Sequence, residues 1–348
     1  MLPVSMTFSV TNLCNSRCKT CFIWNLYRTS PDRKDDELGV NEFEKIFENI
    51  GGTVFWATMS GGEPFLRDDL PNICRVLNEY CRPAIINIPS NGLLTSSIES
   101  STKKIAEQCP DAAVIVNLSL DGIGVDHDKI RGVQGNFDKF AETYRRLQNL
   151  KMDYKNLQIG IHSVISNFNI NNILSIYEYA RTLEPDSYIT EVAENRTELF
   201  NTHVNITPNS VDYLAIITKL SQRVRADYLN TRKNISRVTQ AFRLAYYDIA
   251  SQELSDHRQI IPCYAGYASC QITPYGEVWP CCVLGYDKPM GSLRDNDYDL
   301  SRVWFSKEAD EVRKYIREKK CACPLANAHY TNMLMDTRTL LKVLMNTL

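Results

Sequence analysis

Short apolar runs and segments with apolar residues every third or fourth position alternate along most of the chain. Runs of the first kind read as strands and segments of the second as helices packed on one face. The pattern predicts strands at Met6–Thr11, Val54–Met59, Ala84–Ile88, Ala113–Leu120, Gln158–Ile165 and Ser187–Val192. Helices are expected at Asn41–Ile50, Pro71–Cys81, Phe137–Leu150, Ile170–Leu183 and Thr207–Arg225, the first burying Phe43, Ile46, Phe47 and Ile50. Ala113–Leu120 is apolar on both faces, as a strand covered by helices on either side should be. Six β/α units predict an α/β fold, a partial (β/α)6 parallel barrel over residues 1–229, whose open side needs a cover. A helical connector is expected over 230–262. A smaller module over 263–348 follows, with a hairpin at Ser269–Pro280 turned at Pro274–Tyr275–Gly276, a helix at Leu300–Arg317 and a terminal helix from Tyr330 that packs on the barrel. Leu26–Glu37 is polar and reads as a solvated spacer, with an active-site lid as the alternative.

Composition narrows the class. With 348 residues, 44% of them hydrophobic, the chain buries a large core. Thirty-nine basic and 41 acidic residues leave a net charge of −2, so no bulk field favours nucleic acid or an anionic membrane. No apolar run approaches the roughly 20 residues of a membrane span. Met1–Pro3 leads straight into a strand, without a signal segment, which suggests a cytosolic protein. In that compartment the 12 cysteines are metal ligands or core residues more than disulfides. Cys74 and Cys81, seven positions apart beside Ile73 and Leu77, read as core.

The remaining cysteines form two groups. Cys14, Cys18 and Cys21 lie in a tight loop after the first strand, in T-N-L-C-N-S-R-C-K-T-C. A cubane [4Fe-4S] cluster held by three thiolates keeps one iron free for a small molecule. A structural zinc knot would need a fourth Cys or His that residues 1–25 lack. The second group contains Cys263, Cys270, Cys281, Cys282, Cys321 and Cys323. Four of them suffice for one cubane: Cys263, Cys281, Cys321 and Cys323 are assigned, with Cys282 or Cys270 as substitutes and zinc as the alternative metal.

The C-x3-C-x2-C loop resembles the signature of the radical SAM superfamily, and further elements follow in the family's order. Ser60-Gly61-Gly62-Glu63-Pro64 ends a strand and resembles the family's G-G-E-P element; two glycines let the backbone approach a ligand closely, so crowding Gly62 should weaken cofactor binding alone. Ser90-Asn91-Gly92 and Ser119 end later strands. His127-Asp128-Lys129-Ile130-Arg131-Gly132 resembles a segment of the SPASM and twitch branches, with a capped, salt-bridged helix start as the alternative. C-x-A-G…I-T-P-x-G-x-V-x-P-C, from Cys263 to Cys281, resembles the opening of a SPASM or twitch module; six cysteines after residue 250 suit a single auxiliary cluster. One departure is Thr20, where the family usually has an aromatic residue before the third cysteine; Phe22 or Trp24 is left to pack the adenine.

The resemblance implies a first [4Fe-4S] cluster with an open site, S-adenosylmethionine held by Gly61, Gly62, Glu63, Pro64, Asn91 and Ser119, and a second, auxiliary [4Fe-4S] cluster. It implies reductive cleavage of S-adenosylmethionine to a 5′-deoxyadenosyl radical that removes hydrogen from a substrate carbon, with electrons from a low-potential donor such as flavodoxin or ferredoxin. A two-electron oxidation of a small polar metabolite is the leading expectation, because the chain begins almost at its first strand and leaves no room for a peptide-leader domain. A peptide-modifying enzyme forming thioether or carbon-carbon bonds, or epimerising residues, is the alternative. A non-catalytic iron-sulfur or zinc protein is the reading from another class. Candidate substrate-contacting residues at strand ends are His162, Tyr188, Glu191, Glu194 and Arg196.

Overall fold

A computed structural model of the chain describes residues 1–230 and 234–345, with no side chains described over 228–237. Positions 231–233 of the expected connector and 346–348 of the terminal helix lie outside the described residues. Six strands, β1 (Ser5–Thr11), β2 (Trp56–Gly61), β3 (Ile85–Ser90), β4 (Ala113–Ser119), β5 (Leu157–Ile165) and β6 (Ser187–Val192), pair in sequence order, all parallel. Three more, β7 (Ser269–Ile272), β8 (Glu277–Trp279) and β9 (Gly291–Ser292), continue the sheet beyond β1. β7 runs parallel to β1, pairing Met6 with Cys270, and the expected hairpin then turns back as β8. One nine-stranded sheet therefore crosses from the barrel residues into the cysteine-rich tail.

The one-turn α1 (Leu26–Thr29) follows the cysteine loop. Helices α2 (Val40–Ile50), α3 (Leu70–Cys81), α4 (Thr95–Gln108), α5 (Val125–Arg131), α6 (Asn136–Lys151) and α7 (Ile173–Thr182) cover the outer face of the barrel strands. α2 buries Phe43, Ile46, Phe47 and Ile50 as its periodicity demands, and Glu42 accepts the N–H of Gly39 at its start, 2.9 Å away. The tail adds α8 (Ser210–Asn230), α9 (Asn234–Asp256), α10 (Leu300–Trp304), α11 (Lys307–Arg317), α12 (Ala326–Met335) and α13 (Thr337–Met345). α9 covers the far edge of the sheet: the hydroxyl of Tyr246 accepts the free N–H of Val192, and Tyr247 bonds Thr190. None of the described helices is long and apolar enough to cross a membrane.

Four expectations change. The terminal helix expected from Tyr330 is two, α12 and α13, parted at Asp336. α4 answers to no predicted element. The helix expected over 300–317 is two helices, because Ser306 caps α11 by accepting the N–H of Ala309 at 3.1 Å. Leu26–Glu37 is no solvated spacer at its ends. The Glu37 carboxylate accepts the hydroxyls of Thr11 and Tyr27 and the N–H of Asn12, while Tyr275 in the β7–β8 turn bonds Tyr27 at 3.0 Å.

Candidate active site

β1, with Phe8 and Val10 fully buried, delivers the chain to Asn12 at the C-terminal end of the barrel, and the cysteine loop folds over that mouth. The loop is held from all sides by backbone. Gly62 and Glu63 donate to the carbonyls of Thr11 and Leu13 at 2.7 and 2.8 Å; Arg17 and Lys19 donate to the carbonyls of Arg131 and Ile130 at 3.0 and 2.9 Å. A Cβ on Gly62 would lie 2.2 Å from the Leu13 oxygen, and one on Gly61, at φ +119°, would lie 2.0 Å from that of Thr11. The glycines thus let β2 approach the cysteine loop itself, which corrects the expectation that Gly62 serves ligand approach alone.

Glu63 is buried and its carboxylate is already committed. It accepts the N–H of Asn91 at 2.7 Å, the hydroxyl of Ser90 at 2.9 Å and the N–H of Phe65 at 3.3 Å, and burial raises its pKa to about 7. Asn91 in turn donates its amide to Asn15 in the cysteine loop at 2.7 Å. Ser119 lies on the inner face of β4, in register with His162.

Cys14, Cys18 and Cys21 stand close enough to act on one another. Burial and the neighbouring Cys18 sulfur push Cys14 and Cys21 up to about 12. Such a trio loses its protons only around a positive centre, which is what a cluster with three protein ligands provides. The Arg131 guanidinium works in that direction on Cys18; it is paired with buried Asp121 at 3.0 Å, and its Nε takes no partner. Arg131 was not among the strand-end candidates because it sits on α5. Its neighbours differ from the capped, salt-bridged helix start: α5 has no side-chain cap, Asp128 instead accepts the N–H groups of Gly135 and Phe137 at the start of α6, and His127 is buried with Nδ1 accepting the N–H of Asp121. At the departure, the Thr20 carbonyl accepts Asn201 Nδ2 at 2.8 Å; Phe22 packs near Trp24 and His203, centroids 6.2 and 5.1 Å away.

Cys263, Cys281, Cys321 and Cys323 line one small cavity together with Glu253, His329 and Asn332. Their thiols influence one another, burial and then neighbouring sulfurs pushing Cys281 up to about 12 and Cys321 to about 11. This is the quartet assigned from the sequence. Neither substitute joins it. Cys270 is buried in β7, its strand position directing it into the hydrophobic core. Cys282 turns the other way and receives Arg196 Nη1 on its sulfur at 2.9 Å.

Arg196 is the hinge between the two groups. Its charge is felt by Cys21 on one side and by Cys282 on the other. Around it stand Glu198, 3.6 Å away and held by Gln271 at 2.6 Å, and Glu194, whose pKa burial raises to about 7. Glu194 also lies near Cys323. The Nε of Arg196 and Oε2 of Glu194 are sealed from solvent without a partner. Buried Asn201 organises this loop, accepting the Arg196 N–H at 2.7 Å while bonding Thr20. His162 Nε2 and Glu191 lie 3.6 Å apart on the inner face of β5 and β6. Tyr188 does not join them. Side chains alternate along a strand, and Tyr188 faces outward, bonding Ser163 at 3.1 Å and packing on Tyr177 of α7.

The Radical SAM superfamily model matches residues 8–180, and the model of SPASM, an iron-sulfur cluster-binding domain, matches 263–324. The Fe-coproporphyrin III synthase of Methanosarcina barkeri is 29% identical over 177 residues, 50% of this chain and 40% of that protein. The antilisterial bacteriocin subtilosin biosynthesis protein AlbA of Bacillus subtilis is 22% identical over 333 residues, 92% of this chain and 65% of that one. The chain thus spans less than two thirds of the length of either relative. In fold it is similar to anSMEcpe with bound AdoMet and Cp18Cys peptide, at TM-score 0.64 and 16% identity over 99% of this chain and 96% of the other. Streptococcus suis SuiB bound to S-adenosylmethionine gives 0.63 and 15% over 90% and 68%.

Proposed function

From the premise that the chain belongs to the radical SAM superfamily and carries a SPASM-type iron-sulfur module, with [4Fe-4S] clusters and S-adenosylmethionine as cofactors, we propose that it catalyses the two-electron oxidation of a small polar substrate. In this reading Cys14, Cys18 and Cys21 hold the first cluster, and Cys263, Cys281, Cys321 and Cys323 the second. The backbone of Gly61–Pro64, with Asn91 and Ser119, holds S-adenosylmethionine, and the unpartnered Nε of Arg131 meets its carboxylate. Once bound and reduced, the first pair supplies a 5′-deoxyadenosyl radical that removes a hydrogen atom from a substrate carbon. The observation that carries the reading is Arg196, poised between Cys21 and Cys282. With Glu194 and His162 it offers buried polar atoms without a protein partner, beside Glu191, to which a polar substrate would bond and by which it would be oriented. Glu194, with its pKa near 7, would take the proton that the oxidation releases, and the second cluster would take the electron left on the substrate. A flavodoxin or ferredoxin supplies the low-potential electrons, and the cytoplasm keeps the thiols reduced.

A second reading, modification of a peptide, draws support from the likeness to a bacteriocin biosynthesis protein over 92% of the chain. One experiment addresses both. Anaerobically reconstituted protein should hold about eight irons and, with reductant, S-adenosylmethionine and metabolite or peptide mixtures, yield a product lighter by two hydrogen atoms. Cys281→Ala with Cys323→Ala should keep formation of 5′-deoxyadenosine and lose that product, with circular dichroism and first-cluster iron unchanged. A folded double variant that forms full product would overturn the oxidative reading.

A further inference from the structure

The end of α11 and the turn after it gather positive charge immediately before two of the four cysteines. Lys314, Arg317, Lys319 and Lys320 are all exposed, and Cys321 follows Lys320 directly. Exposed Lys288, from the segment between β8 and β9, joins them. Its Nζ lies 5.1 Å from the centre of the Tyr315 ring, and that of Lys320 lies 5.9 Å from the same ring. The turn is closed on itself: Tyr315 donates its hydroxyl to the Lys320 carbonyl at 3.0 Å, and the Lys320 N–H donates to the Tyr315 carbonyl at 3.3 Å.

Basic residues in a last helical turn ordinarily offset the helix dipole. Here Lys288 belongs to another element, and Lys319 and Lys320 lie beyond the helix. Lys319 stands at φ +57°, the left-handed position after a helix that glycine fills most readily. Glu318 pairs with Lys320 at 2.7 Å, and the charges of Lys314 and Arg317 reach the same carboxylate. Among the described residues no other carboxylate lies within 4 Å of any of the five cations. Like charges gathered this closely repel, and an anionic surface laid over them removes that cost.

The proposed oxidation leaves one electron on the second cluster in each turnover, and that electron must depart before the next. We propose that this patch docks a small acidic electron-carrier protein, of the flavodoxin or ferredoxin class, whose oxidised form takes the electron. That role rests on the reading of Cys263, Cys281, Cys321 and Cys323 as ligands of a cluster that receives the substrate's electron. The cluster is oxidised by one electron, the carrier is reduced by one, and no bond on this chain forms or breaks. A carrier seated on Lys288, Lys319 and Lys320 lies beside Cys321, so the electron crosses only the width of the turn. Redox encounters of this kind bury less than about 1,200 Å² and rely on charge for orientation, so an apolar groove is not required.

The test uses the full chain with Cys14, Cys18 and Cys21 changed to Ala, reconstituted, reduced with deazaflavin and light, and desalted. It is mixed in stopped flow with oxidised flavodoxin or oxidised ferredoxin, without S-adenosylmethionine or substrate. Carrier reduction should be second order and should slow as salt rises. Lys288→Glu with Lys319→Glu should lower the rate constant about tenfold at low ionic strength. The difference should shrink below about twofold in about 1 M salt, where charges are screened beyond about 3 Å. Oxidised methyl viologen, a cation, should be reduced by the variant at least as fast as by the parent. If that variant binds less iron, Lys314→Gln with Arg317→Gln decides and should show a salt-dependent fall of about threefold. Rates indifferent to these charges at equal iron, or a parent that passes no electron to either carrier, would overturn the docking proposal alone. A parent without second-cluster iron would instead overturn the four-cysteine reading.

Discussion

A single methyl group at Gly62 would collide with the Leu13 carbonyl at 2.2 Å, and neither backbone can move without disturbing the cysteine loop. Gly62→Ala should therefore cost about 1–3 kcal/mol and reduce the iron of anaerobic protein from about eight to about four, measured by iron and sulfide content. An unchanged count would show that the loop yields. His127 makes a different contribution. It is wholly buried, and burial, then the nearby Arg131 charge, hold its pKa at about 4, below the ordinary 6.5. Unfolded chains bind this proton first, so the stabilisation is complete above pH 6.5 and is lost as pH falls toward 4. Between pH 6.5 and 5 the loss amounts to about 2 kcal/mol. Urea unfolding of cluster-free protein should show it, and His127→Asn should lack it; an equal slope in the variant would refute the assignment. Cys263, Cys281, Cys321 and Cys323, assigned with the help of the resemblance to a SPASM or twitch module, line one cavity, whereas their spacing by itself left Cys282 and Cys270 open. Sequence alone mistook Tyr188 for an inward residue, since the face of a strand depends on register.

At the level of elements, strands and amphipathic helices were legible where apolar residues are dense. α4 was not. Its large buried apolar residues are Ile98 and Ile105, two full turns apart, with Thr95, Thr102 and Ala106 filling the rest of the face. The break at Ser306 was visible as a capping residue followed by acidic Glu308 and Asp310, yet the apolar pattern ran through it. The tail hairpin was expected, whereas its pairing with β1 was not, because parallel pairing across some 260 residues leaves no local mark. That pairing carries a prediction. Ending the chain after residue 262 should expose the β1 edge from Ser5 to Phe8, and the truncated protein should aggregate or unfold without cooperativity. Monomeric elution with a sharp thermal transition would show that the barrel stands alone.

On the scale of the molecule, the telling contact is the one between Arg196 and Cys282, 86 residues apart, which sits where the barrel mouth meets the tail. No pattern of spacing reports such a meeting, since it follows from how α9 and the hairpin return the tail to β1 and β6. The continuous sheet has a further consequence. β1 leads into the first cysteine group, and β7, bonded to it rung by rung, leads through β8 into Cys281. Electron tunnelling weakens steeply with distance, so two redox centres carried on hinged bodies would exchange electrons at rates scattered by every swing. Here the gap is spanned by a hydrogen-bonded ladder. If the two cysteine groups hold the proposed clusters, transfer between them should be free of gating by domain motion and proceed with one rate constant.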